Sequence, residues 1–165
     1  EETIVDLAVE DDSRIQCIYF SMSEDNIRKK VQLPWVSFSS DAGSYSDITK
    51  NFRTHPRAFG SFIRVLGKFS RDEGLLSLEE AVRKLSYLPA TNLGIEKRGL
   101  LQPGYFADLV LFDPETVTDH ATFDERLQYA TGVSDVWVNG MQVLKDAEHT
   151  GAFPGRFVKG SGATQ

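Results

Sequence analysis

The chain has 165 residues, of which 41% are hydrophobic and 25% are charged. This composition is ordinary for a soluble globular protein and is sufficient for one domain with a substantial core. A formal net charge of -6 argues against a general nucleic-acid binder, which needs a basic surface to meet phosphates. No apolar run approaches the roughly 20 residues that a membrane helix needs, and the single cysteine excludes an intrachain disulfide.

The first residues, EETI, lack the basic segment and apolar stretch of a secretory signal peptide. The single cysteine, Cys17, fits a cytoplasmic location. The last residues, 160–165, are small and polar and predict a flexible tail.

Residues 1–41 have the pattern of a helix followed by a strand, a helix and a strand. Residues 3–9 have helical spacing of apolar side chains, and residues 15–22 form a nearly continuous apolar run typical of a strand buried on both faces. Ser23 predicts the start of a helix that Pro34 closes. Residues 35–40 predict a second strand. Together these elements predict a βαβ unit with parallel strands.

Residues 42–56 are typical of a loop. Apolar side chains then recur at helical spacing over residues 59–69, with Gly74 as the predicted stop. Ser77 opens a capping box and a second helix, which breaks down from Pro89. After residue 100 the pattern favours strands at 106–112, 133–138 and 141–144. Asn139 and Gly140 predict a two-residue hairpin turn between the last two.

Asp41 directly follows the second predicted strand. In parallel α/β folds, polar groups at the carboxyl ends of strands are where chemistry collects. An aspartate there can ligate a metal or act as a general base toward a metal-bound water. The residues after it, Ala-Gly-Ser, are equally compatible with an ordinary turn aspartate.

Basic residues cluster shortly afterwards, at Arg53, His55 and Arg57. Arginine binds carboxylates bidentately, so the pattern predicts an anionic substrate site if this loop lies near Asp41. The alternative is a solvated basic loop leading into a helix. His120 and His149 stand in polar stretches and are predicted to be surface residues.

Two motifs stand near the middle of the chain, PATNLG at residues 89–94 and RGLLQPGYFADLVLFD at residues 98–113. They resemble the end of the last barrel helix and a strand of the neighbouring β-sandwich in the amidohydrolase superfamily. The narrower resemblance is to the N-acyl-D-amino-acid deacylases, at 40–41 (SD), 55–60 (HPRAFG), 64–67 (RVLG), 76–84 (LSLEEAVRK) and 149–156 (HTGAFPGR).

The resemblance implies an α/β chain that contributes the last βα units of a metal-dependent (β/α)₈ barrel, followed by a small portion of a β-sandwich. Residues 1–95 then belong to the barrel, residues 96–159 to the composite β-sandwich, and residues 160–165 to the tail. The implied reaction is zinc-dependent hydrolysis of the amide of an N-acyl-D-amino acid to a D-amino acid and a carboxylate.

The resemblance also implies roles for single residues. Asp41 matches the aspartate after the last barrel strand, which takes a proton from the metal-bound water and passes it to the leaving amine. It is thus the implied catalytic residue and the one implied metal contact. Arg57 and Arg53 correspond to residues near the substrate carboxylate, and His55 is assigned an orienting role.

Most of the family's zinc ligands lie on earlier strands that this sequence does not contain. A full barrel needs about 250 residues. We therefore expect the isolated chain to be inactive and to need a missing N-terminal barrel segment or a partner chain, with homo-oligomers as a further possibility. The alternatives are a fragment of a cyclic-amide hydrolase, such as a dihydroorotase or hydantoinase, and a non-catalytic interaction module that retains the fold.

Overall fold

A computed structural model describes residues 2–12, 19–43 and 54–160 of the chain. The helical part contains α1 (Glu2–Asp11), α2 (Glu24–Gln32), α3 (Arg57–Arg64), a π-helix (Val65–Asp72), α4 (Leu78–Leu85) and α5 (Tyr87–Asn92). The strands are β1 (Leu109–Phe112), β2 (Val133–Val138), β3 (Met141–Lys145) and β4 (Glu148–His149), and they form one antiparallel sheet in the order β1-β2-β3-β4. No helix within these described ranges is long and apolar enough to cross a membrane.

Serine caps begin two of the helices as predicted. The Ser23 hydroxyl accepts a hydrogen bond from the Asn26 backbone N–H at 3.4 Å at the start of α2. The Ser77 hydroxyl accepts one from the Glu80 backbone N–H at 3.2 Å at the start of α4. Each bond satisfies one of the N–H groups that a helix leaves without a partner in its first turn.

The helix predicted over residues 59–69 is longer and changes character. It begins at Arg57 and continues from Val65 as the π-helix, after which Gly74 follows at a φ of +60°. Gly67 lies in this π-helix against the Val117 carbonyl oxygen, which a Cβ at position 67 would approach to 2.6 Å. The backbone at Val117 therefore packs directly against the π-helix at Gly67.

The hairpin after β2 forms as predicted. Asn139 and Gly140 both have positive φ, +51° and +80°, which a two-residue turn between twisted strands requires. Val138 pairs with Met141 across the turn. The strand predicted from residue 106 is shorter than expected and begins at Leu109.

The two parallel strands predicted in the first 41 residues are wrong in the part that the structure describes. Residues 19–22 and 35–40 lie in no strand, and residues 15–18 fall outside the described ranges. A strand needs neighbouring strands for its hydrogen bonds, and the described residues provide none beside these segments. Tyr19 and Phe20 are instead exposed, at 80% and 78%.

The core lies among the helices and includes one later residue. Its buried members are Val31, Val65, Leu66, Phe69, Ala81 and Val117. Val117 follows β1 in the chain and is fully buried. The loop after β1 is thereby packed into the helical part of the chain.

Lys84 is fully buried at the junction of α4 and α2. Its ammonium group donates to the carbonyl oxygens of Val31 at 2.5 Å and Leu33 at 2.6 Å, at the C-terminal end of α2. The ammonium also lies 5.5 Å from the centre of the Phe38 ring. Burial lowers the pKa of Lys84, partly offset by Glu80. The lysine thus fixes the end of α2 and the chain that leads to Asp41.

We expect Lys84→Met to lower the free energy of unfolding by roughly 2–3 kcal/mol, because the carbonyl groups of Val31 and Leu33 lose a charged donor. Urea unfolding of the two proteins measures the difference. Lys29→Met, at an exposed position on α2, is the matched control and should change stability by less than about 0.5 kcal/mol. Equal effects of the two substitutions would contradict a structural role for Lys84.

Candidate active site

Asp41 lies in an irregular segment and has a left-handed backbone. Its φ is +49°, a conformation that aspartate tolerates better than most residues. Its backbone N–H donates to the Ser39 hydroxyl at 3.4 Å, and its side chain is 83% exposed. The turn therefore presents the carboxylate to solvent.

His55 and Arg57 flank the proline at the start of α3. Pro56 suits this position because its fixed φ is compatible with the first helical turn. The Arg57 backbone N–H donates to the His55 Nδ1 atom at 3.1 Å. Nδ1 is thus an acceptor, and a neutral His55 ring carries its proton on Nε2.

The structure brings three of the four predicted site residues together. The Arg57 guanidinium lies 2.9 Å from an Asp41 carboxylate oxygen, and His55 is bonded to the Arg57 backbone. Asp41 and the residues at the start of α3 are thus close in space. Arg53 lies outside the described residues. His120 and His149 are exposed, as predicted.

The environment of His55 favours its neutral form. Burial lowers the pKa of His55 below its usual 6.5, the positive charge of Arg57 lowers it further, and the Asp41 carboxylate partly offsets both. Because the folded pKa lies below the unfolded value, the stability that His55 contributes is fully present above pH 6.5. It is lost as the pH falls through the folded pKa.

Two substitutions should move the pKa of His55 in opposite directions. Arg57→Gln removes a repelling cation and raises it, whereas Asp41→Asn removes an attracting anion and lowers it. Titration of the His55 ring protons by NMR measures both changes in the 165-residue chain. A pKa that responds to neither variant would mean that the three side chains are not close in solution.

The described residues do not form a complete metal site. No group of three or more His, Cys, Asp or Glu side chains in residues 2–12, 19–43 and 54–160 is placed to hold a metal ion. A catalytic zinc site uses three protein ligands and an open position. Asp41 is already paired with Arg57, so these residues by themselves do not fit a zinc ion.

Two aromatic residues at this place were not predicted from the sequence. Phe123 contacts the His55 ring edge-to-face, with 5.1 Å between ring centres, and Phe20 contacts Phe123 at 4.9 Å. Phe123 comes from a polar loop more than 60 residues beyond His55. No local pattern in the sequence indicates such a contact.

The sequence of this chain is similar to one family model and to several curated deacylases. A model described as amidohydrolase family matches residues 20–144. The D-aminoacylase of Alcaligenes xylosoxydans xylosoxydans is 43% identical over 139 residues, which are 84% of this chain and 28% of that protein. The N-acyl-D-aspartate deacylase of the same organism is 40% identical over 157 residues, or 92% of this chain and 30% of the relative. The chain thus spans under a third of the length of these relatives.

Solved structures agree with the sequence comparison. A crystal structure of D-aminoacylase superposes with a TM-score of 0.78 at 43% identity, covering 85% of this chain and 28% of that one. The N-acyl-D-glutamate deacylase of Bordetella bronchiseptica, complexed with zinc and a phosphonate inhibitor, gives 0.69 at 44% identity, covering 76% and 25%. A dihydroorotase of Lactobacillus gasseri matches only 55 residues, 33% of this chain and 13% of its own length, at 44% identity.

Proposed function

Because this chain belongs to the amidohydrolase family, we propose that it is the C-terminal part of a zinc-dependent enzyme that hydrolyses N-acyl-D-amino acids. The products are a D-amino acid and a carboxylate. Similarity over most of the chain to two D-specific deacylases supports this substrate class.

The observation that carries the proposal is the convergence of Asp41, His55 and Arg57. Every N-acyl-amino acid has a carboxylate beside the amide to be cleaved. The Arg57 guanidinium has five N–H donors in a planar fork, and its bond to Asp41 leaves donors for a substrate carboxylate. Arg53 is a second candidate for the same contact. His55 orients the Arg57 backbone.

Asp41 is the proposed proton carrier. Its exposed carboxylate accepts a proton from the attacking water and gives it to the departing amine, which would otherwise leave as an unstable anion. The Arg57 contact holds the carboxylate beside the substrate-binding group. The proposed base and the residue proposed to bind the substrate carboxylate are therefore in direct contact.

Zinc in this proposal is bound by the complete enzyme. When bound, it supplies electrophilic activation of the amide and of water. The described residues contribute Asp41 at most to its ligands. The remaining ligands come from a barrel segment or a partner chain that corresponds to the part of the relatives that this chain does not span.

The proposed architecture assigns residues 1–95 to the final βα units of the barrel and residues 96–159 to a composite β-sandwich, with 160–165 as a tail. Support comes from apolar side chains that the described chain leaves uncovered. Ile4, Tyr19 and Trp35 are between 68% and 80% exposed. Val110 in β1, at the edge of the sheet, is 58% exposed. These are surfaces that further strands and helices would bury.

The first alternative is a cyclic-amide hydrolase, and the second is an interaction module without activity. The shortness of the dihydroorotase match favours the deacylase over the first. Similarity over 84% and 92% of this chain to two deacylases favours it over the second.

One assay separates the three. The complete protein is given N-acetyl-D-amino acids, their L enantiomers and dihydroorotate. We expect hydrolysis of the D compounds only. Preferential turnover of dihydroorotate would identify a cyclic-amide hydrolase, and no turnover of any compound by the zinc-loaded protein would support the interaction module.

A further inference from the structure

We propose that Phe123 is a positioning residue of the Asp41 site. Its ring fixes His55, His55 fixes the Arg57 backbone, and Arg57 thereby meets Asp41 in one geometry. This inference rests on the proposed function for its catalytic consequence. The contacts themselves belong to the 165-residue chain.

A continuous series of contacts links Phe123 to the carboxylate. The Phe123 ring lies 5.1 Å from the His55 ring at an interplanar angle of 80°, which is the edge-to-face geometry that aromatic pairs prefer. His55 accepts the Arg57 backbone N–H at 3.1 Å. The Arg57 guanidinium lies 2.9 Å from Asp41. Each of these residues touches the next.

The loop that carries Phe123 is built to present it. Thr122 and Glu125 close a turn around Phe123, because the Thr122 backbone N–H donates to the Glu125 carbonyl oxygen at 3.0 Å. The Glu125 backbone N–H donates back to the Thr122 hydroxyl at 2.9 Å. The Phe123 ring in this turn contacts His55, just before the start of α3.

The same loop is anchored to the helix that Arg57 begins. Asp119, 14% exposed, accepts a bond from Arg64 of α3 at 2.9 Å. Gly60 of α3 allows this approach, since a Cβ there would lie 2.6 Å from the Asp119 Cβ. The bond between Arg64 and Asp119 therefore holds the loop that carries Phe123 against the helix that begins at Arg57.

Phe20 completes the packing on the other side of Phe123, 4.9 Å away at an interplanar angle of 63°. Phe20 is 78% exposed and Phe123 is 44% exposed. Rings this exposed add little to a core, so burial does not explain the arrangement. Their common feature is the contact that leads to His55.

The first test uses NMR of the 165-residue chain with Phe123→Ala, Phe123→Tyr and Tyr129→Ala. Tyr129 is the matched control, because it lies in the same loop and packs edge-to-face on Phe59 of α3, 5.9 Å away. We expect Phe123→Ala to shift the His55 ring protons and the Arg57 amide signal. Phe123→Tyr should restore both, and Tyr129→Ala should move neither. Unshifted signals in Phe123→Ala would overturn the proposal.

The second test measures kcat and KM of the complete enzyme on an N-acetyl-D-amino acid. A displaced Arg57 weakens binding of the substrate carboxylate and no longer holds Asp41 in one geometry, so Phe123→Ala should raise KM by roughly tenfold and also lower kcat. Phe123→Tyr should restore KM. An equal rise in Tyr129→Ala would overturn the proposal, because loop anchoring and not the ring would then matter. A wild-type enzyme inactive on these substrates refutes the proposed function, whereas the NMR result still decides the positioning role.

Discussion

Asp41→Ala in the complete enzyme should lower kcat for N-acyl-D-amino acid hydrolysis by about 10²–10⁴-fold, the usual contribution of a positioned proton carrier. The amine leaves readily only when it receives a proton. In the described structure, Asp41 is the carboxylate that pairs with Arg57. Asp41→Asn should be nearly as inactive, because the amide keeps the size of the side chain but accepts no proton.

Asp25→Ala is the matched control for this experiment. Asp25 is a surface carboxylate with its side chain 86% exposed, 3.7 Å from Arg28, and exposed pairs of this kind contribute little. Its kcat should equal that of the wild type. Zinc content is measured in all variants, so that loss of metal is separated from loss of the base. Retained turnover in Asp41→Ala would refute the base role.

Gly132→Ala should produce the largest loss of stability, roughly 3 kcal/mol or more, for two physical reasons. Gly132 has a φ of +88°, which an L residue rarely adopts. A Cβ would also lie 2.4 Å from the Cα of Val117, which is fully buried in the core. That contact involves backbone atoms, so neither side can move without disturbing the core.

Gly104→Ala isolates the first of these two reasons. Gly104 has nearly the same φ, +85°, but a Cβ added at this position would meet no atom within 4 Å. The substitution should therefore cost only about 1–2 kcal/mol, which is the cost of the left-handed conformation. Urea unfolding compares the two variants. Equal losses would mean that the close approach of Val117 does not exist in solution.

Local signals in the sequence predicted the elements that depend on local contacts. The starts of α2 and α4 followed from Ser23 and Ser77, whose hydroxyls bond to the first turns. The hairpin followed from Asn139 and Gly140, which tolerate positive φ. Each of these features is determined by residues within a few positions of one another.

Features that depend on distant residues were missed or wrong. The strands predicted at 15–22 and 35–40 need partners from elsewhere, and the described residues 19–22 and 35–40 form none. The apolar pattern indicated burial without indicating what would cover it. The burial of Val117 among the helices likewise arises from distant residues, since it shares the core with Val65, about 50 positions earlier in the chain.

The candidate site likewise contains residues that the sequence indicates and one residue that it does not. Residue type and the resemblance to a family indicate Asp41, His55 and Arg57, and the structure brings these three residues together. Their catalytic roles remain predictions. The sequence does not indicate the contact between Phe123 and His55, because an aromatic residue in a polar loop has no periodicity from which its neighbour can be inferred.

The most direct test of the proposed function combines zinc analysis with hydrolysis of N-acetyl-D-amino acids, using the 165-residue chain alone and together with the barrel segment or partner chain. We expect stoichiometric zinc and D-selective hydrolysis only when the two parts are combined. Tightly bound zinc and activity in the 165-residue chain by itself would contradict the proposal, because the metal site would then have to come from residues to which we assign no ligand role.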